Sequence, residues 1–243
     1  MNVEMLNVGW ISSPAMIWRR DEDPGEQIRF PVPAWVIESG DERILVDTGL
    51  NPRAIADPAT HYGNEAAFSV VSLEQDADIS RQLDLATITK VVLTHLHYDH
   101  AGGLSLLPPT VPVVVQQREW EAGYERAAVA RNFFFPRDYE LDERRVMVVD
   151  GDHDLLGDGS VQLLLTPGHT PGHQSVRVGG ELVLGVDVAH YAVTFDDHRF
   201  PMFADDFDAQ ARSAERLRDL RDAGTKLLPG HDPGVLAPGP VSL

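Results

Sequence analysis

The chain has 243 residues, 43% of them hydrophobic, which is enough for a substantial core. Its 20 Lys+Arg stand against 38 Asp+Glu, and the formal charge of −18 argues against non-specific binding to nucleic acid or to an anionic membrane. Cysteine is absent, which excludes disulfides and thiolate ligands and fits a cytoplasmic setting; we read no membrane span and, at Met1-Asn2-Val3-Glu4, no signal peptide.

Residues 1–9 alternate loosely through Val3, Met5 and Val8 and predict a first strand. Residues 13–18 read as strand or loop, and Arg19 to Gly25 as a turn ending in Pro24-Gly25. Pro33 to Glu38 and Arg43 to Asp47 predict a hairpin around Ser39-Gly40-Asp41-Glu42. Thr48 to Leu73 has no clean period, and Pro52, Pro58 and Gly63 mark a long loop of the kind that is functional or mobile. Asp76 to Leu83 predicts a short helix capped by Asp76 or Asp78.

Val91-Val92-Leu93 and Val111 to Val115 read as strands. Gln117 to Arg131 has helical spacing, with Trp120, Tyr124 and Ala127 or Ala128 on one side, and Asn132-Phe133-Phe134-Phe135-Pro136 interrupts it as a packed corner or an apolar wall. Strands follow at 145–149 and 160–165, then a hairpin of 174–178 and 181–186 around Gly179-Gly180. Asp206 to Ala223 is the clearest helix, stopped by Gly224, and Lys226 to Leu228 is the last strand. His61 and His198 fall in loops and match no motif, and His153 lies in the Gly- and Asp-rich turn before 160, so an exposed position is the expectation for each. Periodicity alone supports α/β or α+β without a linker or a short repeat.

The chemistry concentrates in Thr94-His95-Leu96-His97-Tyr98-Asp99-His100-Ala101-Gly102-Gly103, directly after a buried strand. Imidazole is the commonest side-chain metal ligand, and carboxylate suits hard divalent cations. In an extended segment alternate residues share a face, so His95 and His97 point the same way. Asp99 and His100 follow where the chain turns and can face a second point. One loop could thus serve two adjacent ions.

Further stretches follow in order: Leu45-Val46-Asp47-Thr48-Gly49 before the cluster, then Thr166-Pro167-Gly168-His169-Thr170-Pro171-Gly172-His173, Gly185-Val186-Asp187 and Pro229-Gly230-His231-Asp232. Together they resemble the metallo-β-lactamase superfamily over residues 45–232. The resemblance implies an α+β fold, a four-layer αβ/βα sandwich, and we expect one domain over 1–243. It implies a first divalent ion on His95, His97 and His169, a second on Asp99, His100 and His231, and Asp187 between them. Zinc is expected, with iron, cobalt or manganese also compatible with these ligands. A hydroxide shared by the two ions would attack the substrate, and Asp99 would protonate the leaving group. His173 would brace its loop, and Asp47 would orient His97 or another nearby ligand.

Residues 94–104, 166–175, 152–159 and Asp187 to Tyr191 are most similar to the N-acyl homoserine lactonase, or quorum-quenching, branch. That branch implies opening of a lactone ring on a small acyl substrate. Met16, Trp18, Phe30, Phe68 and Phe133 to Phe135 are candidates for the acyl pocket. Known lactonases of this branch carry a tyrosine three residues after the bridging aspartate, whereas this chain has His190 there and Tyr191 next. Both are therefore candidate catalytic residues. The alternatives are a glyoxalase II-like thioesterase or other ester hydrolase, and a promiscuous β-lactam hydrolase. A ribonuclease Z-like nuclease is disfavoured by the charge. A homodimer is compatible with the resemblance.

Overall fold

A computed structural model describes residues 1–23, 25–140 and 145–243. Of the turn expected at 19–25, Pro24 lies outside the described residues. Thirteen strands are described. They are β1 (Asn2–Pro14), β2 (Gln27–Ser39), β3 (Glu42–Val46), β4 (Ser72–Glu74), β5 (Lys90–Val92), β6 (Val113–Gln116), β7 (Val146–Val149), β8 (His153–Asp154), β9 (Val161–Leu165), β10 (Gln174–Val178), β11 (Leu182–Val186), β12 (Lys226–Pro229) and β13 (Gly239–Val241). The first sheet runs β13-β1-β2-β3-β5-β6-β7, with β4 also on β1, and the second runs β12-β11-β10-β9-β8.

Period-two alternation builds the layers. Ile44, Val46, Val92 and Val114 of the first sheet share a buried cluster with Leu163, Val176, Leu184 and Val186 of the second, which is the core between the sheets. Their neighbours Leu45, Val91 and Val113 face the other way, into a cluster with Ile79, Leu104, Leu107 and Tyr139. On the far side Leu164 and Val183 meet Ala214 and Leu217 of the helix Phe207–Asp222. Helices thus cover both outer faces, giving the expected αβ/βα layering.

Strand direction then sets the site. β3, β5 and β6 are mutually parallel, and so are β11 and β12. The carboxyl ends of β3 and β5 release Asp47 and the 94–103 loop, those of β11 and β12 release Asp187 and His231, and β9 leads into the 166–173 loop. Ligand-type side chains therefore collect along one rim, outside the carboxyl ends of strands.

Several expectations need correction. Residues 117–131 form two helices, Gln117–Ala122 and Arg126–Arg131, because the chain turns at Gly123 and the Glu125 side chain caps the second helix at the N–H groups of Ala127 and Ala128. The stretch 48–73 contains helices Pro58–Tyr62 and Glu65–Phe68, capped by Asp57 and Asn64. A turn of four or five residues is too short to show a period. Ser13 belongs to β1, followed by a short helix at Ala15–Trp18. The helix near 76–83 is confined to Ile79–Gln82, with Asp78 as its cap. His153 is exposed, but His61 and His198 are half-buried. His198 stacks on Phe200, with ring centroids 5.4 Å apart.

Candidate metal centre and its apolar pocket

The loop after β5 is held by its neighbours before any ligand is considered. The Asp47 carboxylate accepts from the Thr94 backbone N–H (2.8 Å) and the Thr94 hydroxyl (2.7 Å), while the Thr48 hydroxyl donates to the His100 carbonyl (2.8 Å). Gly103 packs against the Thr48 carbonyl so closely that a Cβ would overlap it, which accounts for glycine there.

These contacts also fix which ring nitrogen each histidine turns to the centre. A carbonyl only accepts, so His97 carries its proton on Nε2, which donates to Asn132 O (2.7 Å), and turns Nδ1 inward. His231 donates from Nδ1 to Pro31 O (2.8 Å), and His100 from Nδ1 to Asp47 (2.8 Å), so both turn Nε2 inward. Thr94 spends its hydroxyl proton on Asp47 and accepts from His95 Nδ1 (3.0 Å), which leaves His95 Nε2 unprotonated, 3.0 Å from His97 Nδ1. Asp47 thus orients His100 directly and His95 through Thr94, and does not touch His97.

At the centre the Asp187 carboxylate is ringed by imidazoles. Its Oδ2 lies 3.2 Å from His190 Nε2, 3.4 Å from His169 Nε2, 3.5 Å from His100 Nε2 and 3.7 Å from His95 Nε2. Its Oδ1 lies 3.2 Å from His231 Nε2. Asp99 Oδ2 lies 3.5 Å from His231 Nε2 and 3.6 Å from His100 Nε2. Two donor groups match the expected ions, His95, His97, His169 and Asp187 in one and Asp99, His100 and His231 in the other, and a third, Asp187, His190 and His231, overlaps both; within each the donor atoms lie within 4.8 Å of one another. His173 is apart from them: its Nδ1 meets the Thr166 hydroxyl at 3.0 Å, and burial pushes its pKa down to about 3.

The residues fit divalent ions on three grounds. Asp99 Oδ2, Asp187 Oδ1, His100 Nε2 and His231 Nε2 are buried without a hydrogen-bond partner among the described residues, a costly state for polar atoms unless something else binds them. Burial holds His95, His97 and His169 below the usual imidazole range and so neutral, the form that donates a lone pair. Burial opposes charge on His100 as well, but Asp99, Asp187 and Asp47 outweigh it and raise its pKa, a sign of carboxylate charge in want of cations. Burial also works against the Asp187 anion, yet His190, His231 and His100 hold its pKa well below the usual carboxylate range.

Glu119, which has no sequence signal, ties two donor loops together. Fully buried, it accepts from the Leu96 N–H (3.0 Å) between His95 and His97, and from the Gly172 N–H (2.7 Å) beyond His169. A Cβ on Gly172 would overlap the Glu119 backbone. Burial lifts the carboxyl pKa to about 7 against the pull of both N–H groups.

An apolar cavity of about 250 Å³ opens over the cluster, lined by Ile17, Trp18, Phe68, Tyr98, Phe133, Phe135 and Phe203, with His97, Asp99 and Asp187 on its wall. Of the expected pocket residues, Trp18, Phe68, Phe133 and Phe135 line it. Phe30 and Phe134 instead lie in the core, at 1% and 2% exposure. Met16 lines a different surface hollow with Arg20 and Phe207. Phe203, missed in the sequence, packs over His97 and His169 with centroids 6.1 and 5.9 Å away. His190 faces Asp187, whereas the half-buried Tyr191 is absent from both the cavity wall and the donor groups. Among the described residues no helix is long and apolar enough to cross a membrane.

Comparison with known proteins agrees with this geometry. The chain is 27% identical to the N-acyl homoserine lactonase AttM of Azorhizobium caulinodans, over 94% of this chain and 92% of that protein. It is 29% identical to the N-acyl homoserine lactonase AiiA of Bacillus thuringiensis subsp. kurstaki, over 81% of this chain and 79% of that one. An N-acyl homoserine lactone hydrolase solved with N-hexanoyl-L-homoserine at its catalytic metal centre superposes with a TM-score of 0.83, at 23% identity, over 96% of this chain and 94% of that one. The dizinc quorum-quenching lactonase AidC superposes with a TM-score of 0.69, at 18% identity, over 98% and 92%. The family profile described as the metallo-beta-lactamase superfamily matches residues 28–231, and with these motifs and this sandwich the chain belongs to that superfamily.

Proposed function

We propose that the protein is a metal-dependent hydrolase that opens the ring of N-acyl homoserine lactones or related lactones. The observation that carries this reading is a seven-residue set of donors of which His97, Asp99 and Asp187 line an apolar cavity. The relatives named above support the substrate class. His95, His97 and His169 would hold one ion, Asp99, His100 and His231 the other, with Asp187 shared. When bound, two such ions supply Lewis-acid polarisation of an ester carbonyl and make water a nucleophile near neutral pH. We take zinc as the metal, residues 1–243 as one domain, and the cytoplasm as the location.

The chain's own residues do the rest. Trp18, Phe68, Phe133, Phe135 and Phe203 would seat the acyl chain and exclude water. Asp99 would hand a proton to the alkoxide released when the acyl C–O bond breaks. Water adds to the carbonyl, and the hydroxy acid formed ionises and releases a proton.

Proton release in weak buffer is the direct assay, with a long-chain N-acyl homoserine lactone as substrate and an S-acyl glutathione thioester as comparator. Fast lactone opening that is lost on chelation is expected. No lactone turnover in a sample holding two ions per chain, alongside rapid thioester cleavage, would move the function to the thioesterase alternative. Phe203→Ala is expected to lower kcat/KM about tenfold for a decanoyl chain and less for a butanoyl chain, since part of the apolar wall is lost. An equal loss for both chain lengths would remove Phe203 from acyl recognition.

A further inference from the structure

We infer that His190 is itself a metal donor, an imidazole added to Asp99, His100, His231 and Asp187 around the second ion; the inference rests on the two-ion reading above. His190 leaves the end of β11 three residues after Asp187, and it is 1% exposed. Its Nε2 is closer to Asp187 Oδ2, at 3.2 Å, than the facing nitrogens of His169, His100 and His95 are. Its donor atom and those of Asp187 and His231 lie within 4.8 Å of one another, a third donor group that shares two members with the others. The His190 and His231 rings lie 24° from parallel with centroids 5.3 Å apart, so the two imidazoles approach the carboxylate side by side.

Both ring nitrogens of His190 lack a hydrogen-bond partner among the described residues. Trp18 covers the ring, with centroids 5.2 Å apart. A buried imidazole left in this state is costly, and coordination by Nε2 gives one of its two nitrogens a partner. The chemical contrast with a tyrosine at this position is sharp. A phenol with a pKa near ~10 is a poor donor at neutral pH, whereas imidazole is the commonest side-chain ligand. The second ion would then have five protein donors and the first four. The two ions become unequal, and the second position favours metals that accept higher coordination numbers.

The test reads metal binding rather than turnover, in the full-length protein loaded with zinc or cobalt. In the di-cobalt wild type, proton NMR should show one more paramagnetically shifted, exchangeable ring N–H than the five from His95, His97, His100, His169 and His231. His190→Phe should lose that signal and hold its weaker ion about 10- to 100-fold less tightly in chelator competition, with the tighter ion unchanged. Should the phenylalanine variant fold poorly, His190→Gly with added imidazole should regain the cobalt spectrum. Unchanged affinities in His190→Phe, with only five shifted N–H signals in a wild type holding two ions, would overturn the inference and leave the two-ion reading intact. A wild type that cannot hold two ions would overturn both.

Discussion

Replacing Asp187 by alanine is expected to remove bound metal and activity together. Its carboxylate faces both donor sets, with five imidazole nitrogens between 3.2 and 3.7 Å away. Without it, neutral imidazoles and Asp99 alone would have to balance two divalent charges in a buried site. We expect at most one ion per chain by plasma mass spectrometry and a fall in kcat/KM of about 1,000-fold or more. His97→Ala should act in the same direction through the other donor set. Circular dichroism separates these effects from unfolding, and Asp187→Asn keeps the side-chain volume as a control. Full activity in metal-depleted protein would sink the mechanism.

Glu119 carries the second large effect, on stability and on metal retention. Glu119→Ala strands two buried N–H groups, those of Leu96 and Gly172, each costing about 1–3 kcal/mol. We expect a loss of about 3 kcal/mol, a Tm lower by about 6–12 °C, and metal held roughly 10- to 100-fold less tightly. The charge state adds a pH signature. The carboxyl moves from an ordinary value of 4.5 to about 7 on folding, so between those values the folded chain keeps a proton that the unfolded chain has released. Stability from this group is therefore complete below pH 4.5 and is lost as pH rises through about 7, by roughly 3 kcal/mol in all. Glu119→Gln has no such titration. In urea unfolding of metal-free protein, wild type should lose stability relative to Glu119→Gln from pH 5 to pH 8. A constant gap would show that Glu119 titrates normally.

Most of the layering was legible in the chain because strand alternation and the Phe207–Asp222 helix repeat often enough to be read. The donor residues were legible for a different reason. They sit next to strand ends, in short runs whose composition packing does not explain. Glu119 and Phe203 were not legible. Glu119 lies on a short helix where one carboxylate among several exposed ones carries no mark of burial, and its partners are backbone N–H groups that every residue has. Phe203 reaches the cavity from a loop that has no period. The long loop at 48–73 hid two helices because side-chain caps at Asp57 and Asn64, rather than an apolar stripe, define them. The substitution of His190 for tyrosine was visible, but its closeness to Asp187 is set by the turn after β11.

The pairing of β1 with β13, Val3 opposite Val241, has a consequence for synthesis on the ribosome. This part of the β1 edge stays uncovered until residues 239–241 have been made. The centre waits too, since four of its eight donors are translated by residue 100 and the others arrive at 169, 187, 190 and 231. A nascent chain therefore exposes an unpaired strand edge and a half-built cluster of imidazoles until residues 231–241 have been made. Ions held by the proposed centre would then bind only after residue 231 is made, and a chain stalled before that point would lack both the complete donor set and the covering strand.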